Sequence, residues 1–156
     1  MTNQKSSKNA QINQHNVWQK MPKVELHSHL DCTLSFDVVR RLAPGTTEQE
    51  YWEKFVAPVQ CLSLARYLEY TRNGVRLLQS QQALRLIMQD LFKQLARENV
   101  IYTEIRFAPL LHTERGLSAN QVVEIVDGLL VKEYPDARDA LFGATAADFY
   151  RLERRD

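Results

Sequence analysis

The chain has little of what marks a disulfide-rich, membrane or nucleic-acid-binding protein. Its 156 residues include two cysteines, Cys32 and Cys61, which are too few for a disulfide framework. No apolar run approaches the roughly 20 residues that span a bilayer. Lys and Arg total 20 and Asp and Glu total 19, so charge gives no reason to expect a nucleic-acid or membrane partner. We therefore expect a globular protein with reduced thiols in the cytoplasm.

The chain is also short for one common architecture, the eight-stranded α/β barrel. The 156 residues accommodate one domain with a hydrophobic core. A complete eight-stranded α/β barrel needs about 250 residues. Residues 1–20 are rich in Asn, Gln, Ser and Lys and contain no apolar stretch, so we do not expect them to be a secretory signal. We expect this segment to form a disordered tail.

Two segments, residues 23–29 and 100–107, alternate with the period of a β-strand. One face of each strand is mainly apolar: Val24, Leu26 and Ser28 in the first, and Ile101, Thr103, Ile105 and Phe107 in the second. The other face of each strand is polar: Lys23, Glu25, His27 and His29 in the first, and Tyr102, Glu104 and Arg106 in the second. Strands of a doubly wound sheet are apolar on both faces, so this pattern favours a barrel with a polar interior.

The polar faces predict specific contacts inside such a barrel. Buried charges need partners, so we expect cross-strand ion pairs among four side chains: Lys23, Glu25, Glu104 and Arg106. Helices are predicted between and after the strands, with caps at Ser35, Thr47, Ser63 and Ser118. The strongest helical periodicity runs from Gln81 to Glu98. This order of elements is typical of a βα series with a parallel sheet.

The end of the first strand carries a candidate metal site. Side chains at positions i and i+2 of a strand point the same way, roughly 7 Å apart along the backbone, so His27 and His29 can converge on one ion. Asp31 follows at the point where the strand ends and a loop begins. In an α/β barrel, the C-terminal ends of the strands form the face that holds active sites. Neutral imidazole nitrogen is a good ligand for Zn²⁺. The alternative is that these histidines are only polar residues at a strand end.

Three stretches resemble the adenosine deaminase family: residues 21–31 (MPKVELHSHLD), residues 63–68 (SLARYL) and residues 102–109 (YTEIRFAP). The resemblance covers residues 21–138. It implies a TIM-barrel metal hydrolase of the amidohydrolase superfamily that deaminates adenosine and deoxyadenosine to inosine and ammonia in purine salvage. A purine nucleoside is then the expected small-molecule partner, and Zn²⁺ is the expected cofactor.

The resemblance also assigns roles to residues. It implies that His27 and His29 are zinc ligands and that His29 also lies against the substrate. It further implies that Asp31 binds the sugar hydroxyl end of the nucleoside. The helix with Leu64, Tyr67 and Leu68 would form an apolar gate, or alternatively would pack those side chains on the core. Cys32 stands where the family usually has Gly, and we expect its thiol to be buried rather than bound to metal.

The family's remaining metal ligands and its general acid have no matching position here. His15 lies in the expected tail, and we expect His112, after the second strand, to be an exposed loop histidine. The sequence thus predicts an α/β fold, an incomplete TIM-type (β/α) barrel with its first two parallel strands in residues 21–138. Residues 139–156 diverge from the family, and we interpret them as foreign residues after a frameshift or early stop.

Such a truncated chain is not expected to turn over substrate alone, and its unpaired strand edges would allow self-association. Two other functions stay open at this point. One is a non-catalytic fragment, and the other is a different His-x-His metal hydrolase, such as a phosphoesterase.

Overall fold

A computed structural model of the chain describes residues 17–61 and 63–133. The predicted C-terminal tail, residues 139–156, lies outside the described residues, as does His15. The last four residues of the predicted N-terminal tail, 17–20, are helical. Their end is tied to the sheet, because the Asn99 side-chain amide donates to the Lys20 carbonyl oxygen at 2.6 Å.

The sheet consists of two parallel strands, β1 (Lys23–His29) and β2 (Val100–Arg106). Both predicted strands are therefore confirmed. Glu25 pairs with Thr103 and His29 pairs with Arg106, and the register shifts between Glu25 and Ser28. This arrangement of parallel strands and helices is that of a partial TIM-type barrel.

Apart from the helical residues 17–20, the described chain contains five helices and two short 3₁₀ turns. The helices are α1 (Phe36–Leu42), α2 (Glu48–Phe55), α3 (Leu64–Leu77), α4 (Gln81–Arg97) and α5 (Ala119–Glu133). One 3₁₀ turn, Leu30–Cys32, follows β1 directly, and the other, Pro109–His112, follows β2. The predicted caps are confirmed, because each capping hydroxyl accepts a hydrogen bond from a backbone N–H in the first turn of its helix: Ser35, Thr47, Ser63 and Ser118.

The hydrophobic core lies in the helical layer. Helix α4 supplies its centre, with Leu84, Ile87 and Met88 all fully buried. Side chains from other elements pack around them: Leu30, Val39, Leu78, Val122 and Val126. The sheet contributes less, because only Ile105 and Phe107 from the second strand segment pack against this cluster. The apolar positions Val24, Leu26 and Ile101 are exposed.

The expected cross-strand ion pairs do not form, so that prediction was wrong. Lys23 donates instead to the Glu98 carbonyl oxygen at 2.6 Å, at the C-terminal end of α4, where helix carbonyls attract a cation. Glu104 pairs with Arg106 on its own strand at 3.5 Å. The register explains the difference, because Thr103 and not Glu104 lies opposite Glu25.

Within the described ranges, no helix combines the length and the apolar character needed to cross a membrane.

Candidate functional site

The two imidazoles at the end of β1 converge as their spacing predicts. The Nε2 atoms of His27 and His29 lie 2.9 Å apart, and the ring centroids are separated by 4.9 Å at an interplanar angle of 37°. Both residues are exposed. The two Nε2 atoms are therefore within hydrogen-bond distance of each other, at a place that solvent can reach.

This pair fits part of a zinc site. Two nitrogens that share a tetrahedral Zn²⁺ at about 2.0–2.1 Å lie roughly 3.3 Å apart, so a small movement from 2.9 Å would admit the ion. Catalytic zinc has three protein ligands. In residues 17–61 and 63–133, no group of three or more His, Cys, Asp or Glu side chains is arranged so that it could hold a metal ion. The described residues thus offer two ligands, and a third must come from elsewhere.

Asp31 lies in the 3₁₀ turn directly after β1 and is only 4% exposed. Its Oδ1 atom is 3.9 Å from Nδ1 of His29, on the side of that ring away from His27. Its other close polar contact is the Cys32 thiol, also at 3.9 Å. Both distances are long for hydrogen bonds to a carboxylate. A nearly buried carboxylate with such weak partners is well placed to accept a hydrogen bond from a ligand.

Cys32 follows Asp31 and contradicts our expectation of burial, because the residue is exposed. Its Sγ atom lies 3.4 Å from Oγ1 of Thr71, on α3. Partial burial of the thiol raises the pKa of Cys32, and the Thr71 hydrogen bond offsets part of that rise. A raised pKa keeps the thiol protonated at neutral pH, which makes it a poor metal ligand.

A cavity of about 570 Å³ lies beside the turn that carries Asp31. Its walls come from α1 to α4, and aromatic side chains make up much of its lining: Phe36, Tyr51, Trp52, Phe55, Tyr67 and Tyr70. Tyr51 donates to the Leu34 carbonyl oxygen at 2.9 Å. Burial, and less strongly the nearby Asp90 carboxylate, raise the pKa of Tyr51. The cavity volume is in the range of about 300–1,000 Å³ typical of small-molecule sites.

The predicted gate residues lie on α3. Leu64, Tyr67 and Leu68 are all exposed, Leu64 to 72%. The alternative that this helix face packs into the core was therefore wrong for all three side chains. Tyr67 also lines the cavity beside Asp31.

His112 is not the exposed loop histidine that we expected, because its side chain is fully buried. Its Nδ1 atom lies 3.0 Å from the Leu78 carbonyl oxygen. A carbonyl oxygen only accepts, so Nδ1 is the donor in this contact. No hydrogen-bond partner of its Nε2 atom is found among the described residues. His112 therefore packs between helices and lies outside the imidazole pair.

Sequence reasoning missed Gln79, which is buried beside His112. Its side-chain nitrogen donates to the carbonyl oxygens of Val75 and Leu111, each at 2.8 Å. Its side-chain oxygen accepts from the backbone N–H of Glu114 at 3.0 Å. Gln79 thereby ties the loop after β2 to the turn between α3 and α4. A single glutamine between two helices has no periodicity that would have revealed this.

Comparison with known proteins identifies the family. The sequence model of the family described as "Adenosine deaminase" matches residues 22–133. The chain is 41% identical over 113 residues to the adenosine deaminase of Streptococcus thermophilus, which covers 69% of this chain and 34% of that protein. It is 42% identical over 128 residues to the adenosine deaminase of Streptococcus mutans, covering 78% and 36%.

A further relative is the adenosine deaminase of Clostridium perfringens, 40% identical over 113 residues, with coverage of 68% and 34%. The chain thus spans about a third of the length of these curated relatives. The family match covers most of the described residues, including β1, β2 and all five helices. On this match, the chain belongs to the adenosine deaminase family.

Proposed function

We propose that residues 21–138 form the metal-binding and nucleoside-binding part of an enzyme that deaminates adenosine or deoxyadenosine. The observation that carries this proposal is the convergence of the His27 and His29 Nε2 atoms to 2.9 Å at the end of β1. The reaction adds water to adenosine and releases inosine and ammonia. The family match favours it over phosphate-ester hydrolysis.

Each residue has a definite task in this proposal. Neutral Nε2 atoms of His27 and His29 would hold Zn²⁺, which when bound lowers the pKa of a water molecule enough to supply hydroxide near neutral pH. The Asp31 carboxylate accepts a hydrogen bond from a sugar hydroxyl, because it is nearly buried and has only weak partners of its own. In this proposal the nucleoside extends from the metal to Asp31. His29 lies between these two points and would therefore contact it.

The exposure of three side chains on α3 supports the proposal that this helix forms a gate. Leu64, Tyr67 and Leu68 present apolar surface on α3 that the described helices do not cover. A bound purine nucleoside would cover part of that surface and be shielded from water by it. We place this chemistry in cytoplasmic purine salvage, and we propose that the edges of the two-stranded sheet support self-association.

Metal binding is the first test. Co²⁺ is titrated into the full chain and followed by visible absorbance, and Zn²⁺ then competes for the same site. Two imidazoles bind metal weakly, so we expect a measurable but weak affinity that His27→Ala or His29→Ala abolishes. His15→Ala, which removes an imidazole outside the described residues, is the control. Co²⁺ binding that survives both β1 variants would show that this pair is not the site.

Deamination is tested in a chimera, because the described residues hold only two ligands and we expect no turnover by this chain alone. Residues 22–133 replace the matched segment of the Streptococcus thermophilus enzyme, and the absorbance change from adenosine to inosine is followed. We expect activity that His29→Ala removes and that Gln82→Ala, on the exposed face of α4, leaves intact. A folded, metal-loaded chimera without activity would favour the non-catalytic fragment.

A further inference from the structure

Gly74 lies buried in α3, where the helix packs on the turn that carries Asp31. A Cβ atom added at Gly74 would lie 2.5 Å from the Asp31 carbonyl oxygen and 3.0 Å from Cδ1 of Leu34. Contacts that short with backbone are not tolerated, so the helix would have to move. Gly is a poor helix residue, and close approach of another backbone is the physical reason to have it there.

A second contact joins the same two elements one turn earlier in α3. Oγ1 of Thr71 lies 3.4 Å from Sγ of Cys32, the residue after Asp31. From the other side, the Gln94 amide of α4 donates to the Thr33 carbonyl oxygen at 2.9 Å. The turn after β1 is therefore held between α3 and α4.

This turn sets the position of a carboxylate that has no strong hydrogen bond among the described residues. The Asp31 Oδ1 atom lies 3.9 Å from Nδ1 of His29 and 3.9 Å from Sγ of Cys32. Its place is thus fixed mainly by the backbone beneath it, which rests on Gly74. A carboxylate beside the second ring nitrogen of a metal-binding histidine helps to set the orientation of that ring.

We propose that Gly74 is a positioning residue of the metal centre. By letting α3 rest on the Asp31 backbone, it holds the Asp31 carboxylate beside His29. The helix that bears Leu64, Tyr67 and Leu68 is then coupled to the metal-binding imidazole through the contact between Gly74 and the Asp31 backbone. This inference rests on the proposed function, because it requires the metal to bind at His27 and His29.

The test compares two glycine-to-alanine variants of the full chain in the Co²⁺ titration. Gly74→Ala forces α3 away from Asp31, and we expect the Co²⁺ affinity to fall about tenfold or more, the range seen when such outer partners are lost. Gly128→Ala is the matched control, because Gly128 lies within α5 and an added Cβ there has no atom within 4 Å. Its Co²⁺ affinity is expected to equal that of the unaltered chain.

A second variant covers the case in which Gly74→Ala does not fold. Asp31→Asn keeps the size of the side chain and the Gly74 contact but removes the charge that faces His29. We expect it to lower the Co²⁺ affinity by a similar factor while the thermal midpoint stays unchanged, which a purely structural role would not produce. Asp37→Asn, at an exposed position on α1, is its control.

The outcomes separate the two proposals. Unchanged Co²⁺ affinity in folded Gly74→Ala, or in Asp31→Asn, overturns the positioning role alone, provided that His29→Ala still abolishes binding. Absence of Co²⁺ binding by the unaltered chain overturns the metal site itself, and the positioning role with it. A tenfold loss in Asp31→Asn, with both controls unchanged, supports the inference.

Discussion

The helical layer and the two-stranded sheet differ sharply in how well they are buried. At the centre of α4, Ile87 is fully buried and surrounded by apolar side chains from α1 and α5. On β2, Ile101 is 69% exposed although it occupies an apolar position of the strand pattern. Stability is therefore concentrated in the helices, whereas the imidazole pair sits on the less buried sheet. Changes at His27 or His29 should affect metal binding far more than folding.

The largest expected effect is the difference in stability between two isoleucine-to-alanine variants, one in each region. Ile87→Ala should lower the free energy of unfolding by about 2–5 kcal/mol, because it removes buried methyl groups and leaves a cavity. Ile101→Ala should change it by no more than about 0.5 kcal/mol, as is usual for exposed positions. Urea unfolding followed by circular dichroism measures both values. Equal losses in the two variants would mean that the outer face of β2 is covered in solution.

A smaller effect is expected where a buried polar side chain ties the loop after β2 to the helical layer. Gln79→Ala removes the donor to the Leu111 carbonyl oxygen and the acceptor of the Glu114 N–H. Leaving buried polar groups without partners costs about 1–3 kcal/mol. The same unfolding measurement applies, with Gln82→Ala, at an exposed position on α4, as the control. A loss no larger than that of the control would show that water replaces the amide freely.

The smallest effect is expected at the exposed start of α2. The backbone N–H of Thr47, and next the side chain of Lys54, lower the pKa of Glu50 below its ordinary value. A lowered pKa in the folded state adds stability above the unfolded-state pKa, and that stability is lost as pH falls through the folded-state pKa. Glu50→Gln should therefore reduce the thermal midpoint slightly at neutral pH and have no effect in strong acid.

The matched variant for that comparison is Glu48→Gln, which changes an exposed glutamate in the same first turn of α2. For each variant, the quantity measured is the difference between its thermal midpoint and that of the unaltered chain. This difference should change less between neutral and acid pH for Glu48→Gln than for Glu50→Gln. Thr47 and Glu50 form a capping box, in which each side chain accepts a hydrogen bond from the backbone N–H of the other residue. If the two variants respond alike, this capping box adds nothing specific to the stability of α2.

Local features of the fold were predictable from the sequence because neighbouring residues produce them. The capping box of Thr47 and Glu50 needs only a three-residue spacing, and it forms as predicted. Convergence of His27 and His29 needs only a strand and a separation of two residues, and their Nε2 atoms meet. Both patterns are set within one element, so no knowledge of the tertiary structure was required.

Predictions that depended on two elements did less well. The ion pairs expected between β1 and β2 required a register that alternation does not give, and the observed register places Thr103 opposite Glu25. Burial of His112 depends on helices that follow and precede it, since its ring bonds to Leu78 across 34 residues. Cys32 was expected to be buried, but α3 reaches it through Thr71 without covering it.

The sequence by itself determined the strand and helix segments, their caps and the pair of imidazoles, because each follows from spacing along one element. Only the tertiary structure decided which helix rests on the Asp31 turn, because that depends on two backbones approaching across 43 residues. Gly74 shows the physical reason: an absent side chain has no pattern in the sequence, yet it permits the contact with the Asp31 carbonyl oxygen.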